Sequence, residues 1–468
     1  MQIPILNGIY TDNGPDLRTS YPVNMVPVPK NSGISSGFLR PGDGIVANGS
    51  GPGVVRGGIN WNGTCYRVMG TKLVTVASNG DVIVLGDVGG PASTLVTMDY
   101  SFDRLAIASG GRLYYWNGVA LTQVTDPDLG IVLDMCWVDG YFMTTDGTNL
   151  IVTELSDPTQ VNPLKYGSSE VDPDPVVALL KLRNEVYALN RNTIEVFDNV
   201  GGDFFPFQRV DGAQIQKGVI GTFGCCVFME QVAFLGSGRN EQPGIYLGAN
   251  ATATKISTQE IDDLLMNYTE AQLATALLEA RNDKAHQHLY VHLPDRTLVY
   301  DGAASQELGE LVWFTLTTTT SGFSQYRARN LVWAYDKWLV GDPQSSNIGY
   351  FVDTIGTHWG QTVRWEFGTL IVYNEGNGAL FHELELVALT GRVALGVNPQ
   401  ISTSYSLDGL SWSQDRFIRV GTIGNTKKRL AWFQQGNMRN WRIQRFRGDS
   451  DSHLAFARLE AQIEGLAY

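Results

Sequence analysis

Charge is sparse in this 468-residue chain, at 17% of residues; cysteine occurs four times, and no uninterrupted apolar run approaches the roughly 18 residues of a membrane span. No early stretch joins a charged start to an apolar run, so neither a cleaved secretion signal nor membrane insertion is expected. Cys65, Cys136 and the adjacent Cys225 and Cys226 sit in apolar, strand-like segments without Cys-x-x-Cys spacing. They predict buried free thiols, which fits a reducing cytoplasm. Glycine-rich stretches such as Gly49-Ser50-Gly51-Pro52-Gly53 lack the following Lys-Ser or Lys-Thr of a phosphate cradle, and no Gly-x-Ser-x-Gly elbow presents a nucleophile. His286, His288 and His292 alternate onto one face of a predicted strand, as metal ligands would. Yet His286 and His292 would stand roughly 20 Å apart, too far to share one ion. The sequence therefore predicts no catalytic residue, no cofactor and no metal.

Positive charge is scarce as well. The net charge is −13, and it is uneven: from residue 355 onward 12 Lys and Arg face 10 Asp and Glu, whereas before it 22 face 37. A non-specific nucleic-acid binder needs cations for the phosphates and shows the opposite sign. If this chain meets DNA, it does so without gripping.

What the chain does contain is a repeat. Seven times between residues 55 and 354 a short apolar strand, a polar or glycine turn and a second strand carrying aromatics recur. The pairs are Tyr66-Arg67-Val68-Met69 with Leu73 to Val76, Leu105 to Ala108 with Leu113-Tyr114-Tyr115-Trp116, and Tyr141-Phe142-Met143 with Leu150 to Val152. Glu185 to Ala188 with Thr193 to Phe197, Gln231 to Leu235 with Gly244 to Leu247, His288 to His292 with Thr297 to Tyr300, and Trp338 to Val340 with Ile348 to Phe351 complete the set. A spacing of roughly 35–45 residues is that of a four-stranded blade. Radial stacking buries the second face of each blade, which suits a chain with little charge and 52 glycines for turns. The rival is an array of β-sandwiches, but sandwich strands have no reason to keep the aromatic strand in phase. The expected fold class is all-β: a β-propeller of about seven blades over 55–354, with a helical insertion and a C-terminal β-sandwich-like domain over 355–468.

Residues 1–54 are rich in Pro, Gly, Asn and Ser, and three prolines fall within the eight positions from Pro22 to Pro29. That forbids a helix and favours an extended path. The apolar content of Tyr21, Pro22 and Met25, with Asn24 between them, points to an arm laid along a neighbouring surface rather than a free leader. The insertion over 257–282 reads as two helices: Ser257-Thr258-Gln259-Glu260 opens one with Ile261, Leu264 and Leu265 on one face, and Thr269-Glu270-Ala271-Gln272 opens another with Leu273, Leu277 and Ala280. Such a pair is either packing or a docking surface, so Tyr21, Pro22, Asn24, Met25, Leu264 and Leu265 are the candidate subunit or partner contacts. After residue 354, Leu380 to Leu386 and Trp441 to Arg447 alternate apolar and charged residues as half-exposed strands do. Interleaved Arg and aromatic residues there suit single-stranded nucleic acid or simply solvated strand faces. Ser406-Leu407-Asp408-Gly409-Leu410-Ser411-Trp412 resembles an Asp-box hairpin of sialidase propellers, but it occurs once, is a residue short and lies outside the repeats.

An ordered set of strings carries a family resemblance over roughly residues 1–305. Tyr21-Pro22-Val23-Asn24-Met25, Ser36-Gly37-Phe38-Leu39-Arg40 and Gly44-Ile45 come first; Asn192-Thr193-Ile194-Glu195-Val196-Phe197 and Gln216-Lys217-Gly218-Val219-Ile220-Gly221-Thr222 follow. Tyr268-Thr269, His292-Leu293-Pro294 and Leu298-Val299-Tyr300-Asp301 close the set. The chain resembles the tail hub, or nozzle, proteins of short-tailed bacteriophages (podoviruses), also described as packaged-DNA stabilisation proteins. The resemblance implies a structural protein of the virion, assembled in the host bacterial cytoplasm. Several copies, typically six, form a ring beneath the portal and its adaptor ring, close the DNA exit channel with a plug or needle, and support tail fibres or spikes. Duplex DNA would pass through the lumen without tight binding. Two other functions compete: a carbohydrate-processing propeller enzyme, which needs convergent carboxylates at the axis, and a glycan-binding or host-attachment module using aromatics on blade loops or the C-terminal domain.

Overall fold

In blade 2, Leu105–Ser109 and Arg112–Trp116 turn through Gly110 and Gly111, whose φ angles of 59° and 77° suit a tight hairpin and are cheap only for glycine. Every residue of Leu105–Ser109 is buried, because a middle strand of a blade meets another blade on each face. The computed structural model describes residues 2–3, 5, 21–30, 37–369, 371–374, 377–409 and 411–466. The stretches 6–20 and 31–36 of the expected arm, Ser36 included, lie outside the described residues.

Seven such antiparallel sheets form the propeller. Blade 1 runs from Val55–Trp61 to Val82–Asp87, blade 2 from Thr97–Tyr100 to Leu121–Gln123, blade 3 from Asp134–Val138 to Val161–Ser168, and blade 4 from Val176–Leu182 to Phe207–Arg209. In blade 5, Gly218–Val219 and Cys225–Phe228 share the inner position beside Gln231–Ser237. Blade 6 runs from Leu277–Asp283 to Trp313–Leu316. Blade 7 takes only three strands from its own region, Arg329–Ala334, Lys337–Gly341 and Asn347–Val352. Its outer strand is Gly44–Ser50, with Val46 opposite Tyr350 and Gly44 opposite Val352. Residues 44–50, expected in an extended arm, thus close the propeller. No local turn signals a partner some three hundred residues away.

The C-terminal domain is a sandwich of two sheets. One is ordered Met25–Pro29, Gly37–Pro41, Phe456–Gly465, Ala379–Ala388, Leu430–Phe433; the other Arg364–Gly368, Trp441–Asp449, Gln400–Ser406, Arg416–Arg419. Its core holds Trp365, Phe367, Phe381, Leu384, Trp432, Phe446 and Phe456, joined by Met25 and Leu39 from the N-terminal hairpin. Pro27 and Pro29 are accommodated because Met25–Pro29 is an edge strand, where a missing N–H costs no ladder bond.

The helical insertion is shorter than expected. Helix α1 covers Gln259–Met266 and α2 covers Glu270–Leu273. The Thr269–Gln272 capping box forms, with Thr269 N donating to Gln272 Oε1 at 2.9 Å and Gln272 N to Thr269 Oγ1 at 3.3 Å. The other box does not: Thr258 is the N-cap without a side-chain cap bond, and Ser257 instead donates to Asp262 Oδ1 at 2.7 Å. Leu277–Asp283 is the inner strand of blade 6, not helix. Leu277 and Ala280 fit a helical stripe, but the blade needs an inner strand paired with His286–His292, and tertiary pairing overrides the local pattern. A third helix, α3 (Gly302–Leu308), is capped by Asp301 and ended by Gly309 at φ 70°. Among the described residues no helix is long and apolar enough to cross a membrane.

Candidate functional site

The inner strands of all seven blades surround a cavity of about 520 Å³ on the propeller axis. Its polar side chains serve to join blades. Arg56, 1% exposed, donates from Nε to Thr94 O (2.6 Å), from one terminal nitrogen to Gly70 O and Gly89 O, and from the other to Thr94 Oγ1 and Ser109 Oγ, so blade 1 is tied to blade 2. Asp99 of blade 2 accepts from Tyr100 N and from Trp137 N of blade 3 at 2.6 Å. Asp134 of blade 3 accepts from Thr97 Oγ1 of blade 2 at 2.6 Å and from Leu179 N of blade 4 at 2.8 Å. Glu279 of blade 6 accepts from Asn330 N and Leu331 N of blade 7, and Asn330 Nδ2 donates to Val55 O of blade 1. Burial pushes the Asp99 carboxyl up and drives Asp134 to about 7. All four oxygens of Asp99 and Asp134 accept hydrogen bonds, three of them from a neighbouring blade, which is a structural task.

A second locus is the seam between propeller and sandwich, and the N-terminal candidates lie in it. Thr315 N donates to Pro22 O and Asn24 N to Thr315 O; Val23 exchanges backbone bonds with Glu366 of the sandwich. Asn24, at φ 52°, donates from Nδ2 to Thr317 O (3.0 Å) and Arg364 O (2.7 Å) and accepts from Thr317 N (3.1 Å). Asn tolerates that left-handed backbone better than most residues. Met25 is fully buried in the sandwich core. The Tyr21 hydroxyl is bonded to Thr258 Oγ1 and donates to Glu260 Oε2, so it meets the start of α1. Tyr21 and Leu264, both half-buried, pack with the fully buried Leu265 on the core between blades 5 and 6. The structure therefore gathers the candidate residues into contacts within one chain. Beside them Arg40 pairs with Asp43 (2.7 Å) and Asp283 (2.9 Å), and Arg281 pairs with Asp43 (2.8 Å).

Of the three alternating histidines, His292 lies apart from the other two, 3.0 Å from Glu279 and hydrogen-bonded to Thr297 Oγ1. His286 and His288 instead converge on Asp301, the one group of three His, Cys, Asp or Glu side chains with metal-ligand spacing among the described residues. Asp301 escaped the sequence reading because it closes the next strand; its signal was its place directly opposite His288 in a hairpin. The axis carboxylates were missed too, although an acidic residue in the first strand of a repeat marks them. The cysteines are free: Cys65, Cys136 and Cys225 are buried, Cys226 is half-buried, and burial pushes all four thiols up. In the hairpin after Gln400–Ser406, Asp408 Oδ1 accepts from Ser411 N, while the nearby Trp412 ring is covered by the Arg445 guanidinium at 3.8 Å.

The fold is a closed seven-bladed propeller joined to a β-sandwich, with its axis carboxylates engaged in blade joining. Residues 1–356 match the family model described as Bacteriophage P22 Gp10, beta-propeller, and residues 364–464 match Bacteriophage P22 Gp10, beta-sandwich. The chain belongs to this family, the tail hub proteins of short-tailed phages, and is thereby a structural component of a phage virion. Tail hub protein gp10 of Salmonella phage P22 is 26% identical over 460 residues, which cover 94% of each chain. Among solved structures, the N-terminal domain of Nup159 (TM-score 0.41, 8% identity, 71% of this chain and 100% of that one) is similar. So is the Neurospora crassa Pan2 WD40 domain (TM-score 0.41, 10% identity, 66% of this chain and 95% of that one). Similarity that low has no bearing on function.

Proposed function

We propose that six copies of this chain form a ring below the portal and its adaptor ring, close the DNA exit with a tail needle or plug, support fibres or spikes, and let the genome slide out on release. The observation that carries the reading is membership of the tail hub family over both domains, and the narrow propeller axis supports a DNA path outside the propellers. One turn of duplex, about 34 Å long and at least as wide as its ~12 Å major groove, occupies on the order of 4,000 Å³, against about 520 Å³ on the axis. DNA would therefore run between subunits and not through a propeller. At −13 each, six copies carry about −78 formal charges, and an acidic lumen repels phosphate. Retention then comes from closing the exit, and assembly takes place in the host cytoplasm.

Two measurements test this. Phage particles made without the protein should package DNA and then lose it, and the purified chain should bind duplex DNA negligibly at moderate salt while entering a large ring, seen by native mass spectrometry, with its adaptor. Stable filled particles without it, or tight salt-sensitive DNA binding, would overturn the mechanism. A chain that stayed monomeric with the adaptor but bound glycans would favour the host-attachment reading.

A further inference from the structure

The strand His286–His292 and the strand Thr297–Asp301 are antiparallel neighbours in blade 6, and their register sets His288 directly opposite Asp301. His286 is two residues along from His288, so the pleat returns it to the same face. The two imidazoles lie side by side, 5.3 Å between centroids and 25° between planes. Asp301 Oδ2 stands 2.5 Å from His286 Nδ1 and 3.4 Å from His288 Nε2, and the three ligand atoms all fall within 4.8 Å of one another. Ligands about 2.0–2.2 Å from a tetrahedral ion are separated by roughly 3.3–3.5 Å; the His288 edge already has that length, and the His286 edge would open by less than an ångström.

Two features point to a ligand beyond the hydrogen bond between His286 and Asp301. His288 is 1% exposed, yet its Nδ1 has no hydrogen-bond partner and its Nε2 has only the long 3.4 Å approach to Asp301 Oδ2, without good hydrogen-bond geometry. A neutral imidazole buried that way leaves one ring nitrogen unmet and the other poorly met, which native interiors rarely tolerate. In addition, Asp301 is held as a second shell would hold it: its other oxygen, Oδ1, accepts from Ala304 N at 3.1 Å as the cap of α3. A void of about 10 Å³, room for one water, adjoins His288 and is lined also by Arg40, Asp43 and Arg281. The positive charge of Arg281 beside the site is already answered by Asp43 and Asp283. His286, 9% exposed, is the edge of the cluster nearest solvent, where an ion could enter.

We propose that His286 Nδ1, His288 Nε2 and Asp301 Oδ2 form a site for one divalent transition-metal ion of the zinc type, with water as the fourth ligand. Two imidazoles and a carboxylate suit zinc, and cobalt can report on the same geometry. The ion would pin the two middle strands of blade 6 to the start of α3, which lies against Met25–Pro29 of the sandwich. The test uses the full-length protein, stripped with a chelator and titrated with Co²⁺ and Zn²⁺ near neutral pH. One equivalent should bind, Co²⁺ should give the visible absorption of a tetrahedral site, and Zn²⁺ should raise the melting temperature. His286→Ala at the edge and Asp301→Asn, which keeps an acceptor for the α3 cap, should each weaken binding at least about tenfold and abolish the Co²⁺ band. Absence of saturable binding by the folded wild type, or unchanged binding in both variants, would overturn the site and leave a buried His–Asp hydrogen bond.

Discussion

Blades 1 to 6 are built from strands that follow one another in the chain, whereas blade 7 and the sandwich are each completed by residues from the first fifty. The difference separates two kinds of closure. A consecutive blade needs only hairpins, and its sheet can form from local contacts. Blade 7 waits for Gly44–Ser50, and the sandwich waits for the hairpin of Met25–Pro29 and Gly37–Pro41, so the chain is locked only when its two ends meet. Long loops add little to the cost of such closure, about 0.6 kcal/mol per doubling of length. The arrangement therefore couples propeller and sandwich at small entropic expense and prevents the ring of blades from opening at blade 7.

The largest effect should come from removing that lock. Deletion of residues 1–50 exposes the outer edge of blade 7 and strips Met25 and Leu39 from the sandwich core. Hydrogen exchange should show protection lost in Asn347–Val352 and Phe456–Gly465 while Tyr141–Thr145 of blade 3 stays protected. Equal protection throughout the truncated chain would mean that the closure does not matter. Single substitutions in the seam come next. Met25→Ala, at a fully buried position, should cost about 2–5 kcal/mol in a denaturant titration. Phe102→Ala, on a blade 2 loop and 92% exposed, serves as the control that should change little.

The same division explains what the sequence disclosed. The seven aromatic hairpins were legible because each strand pair is local and repeats in phase. Gly44–Ser50 was not, since a strand paired across the whole propeller has no hairpin turn to announce it. The prolines of Met25–Pro29 forbade a helix and favoured an extended path, and the segment is extended, entering the sandwich as an edge strand. Leu277 and Ala280 satisfied a helical spacing that the blade overruled. Tyr21, Asn24, Met25 and Leu265 were recognisable as apolar or conformationally special residues in a polar leader and an insertion; that the surface they meet belongs to their own chain depends on tertiary placement alone.

Acid should separate the seam from the axis further. His358, 2% exposed in the seam and bonded to Thr318 Oγ1, is pushed down to about 3 by burial and by the nearby Arg327, itself paired with Asp342. Burial also lowers His288 and His292. A histidine held below its unfolded value near 6.5 takes up a proton only on unfolding. The stability it confers is present above about pH 6.5 and is lost as pH falls towards its folded value. Between pH 7 and 4.5, His358 should account for about 2–3 kcal/mol of lost stability. Urea titrations of His358→Gln should show a correspondingly flatter decline, and an unchanged slope would remove His358 from the account.

Asp134 on the axis has the opposite sign. Its folded value, about 7, lies above the unfolded carboxylate, so between roughly pH 4 and 7 the folded state holds the extra proton and acid favours folding. In the wild type this partly masks the histidine loss. Asp134→Asn keeps an acceptor for Leu179 N or Thr97 Oγ1 and removes the titration. It should therefore steepen the fall in stability between pH 7 and 5 by about 1–2 kcal/mol while changing stability at pH 7 by less than that. The effect is the smallest of the set because the carboxyl already accepts hydrogen bonds from two neighbouring blades, which hold the charged form against its desolvation. Parallel stability-versus-pH curves for the variant and the wild type would show that Asp134 is charged across this range, and that water reaches its carboxylate in the axial cavity.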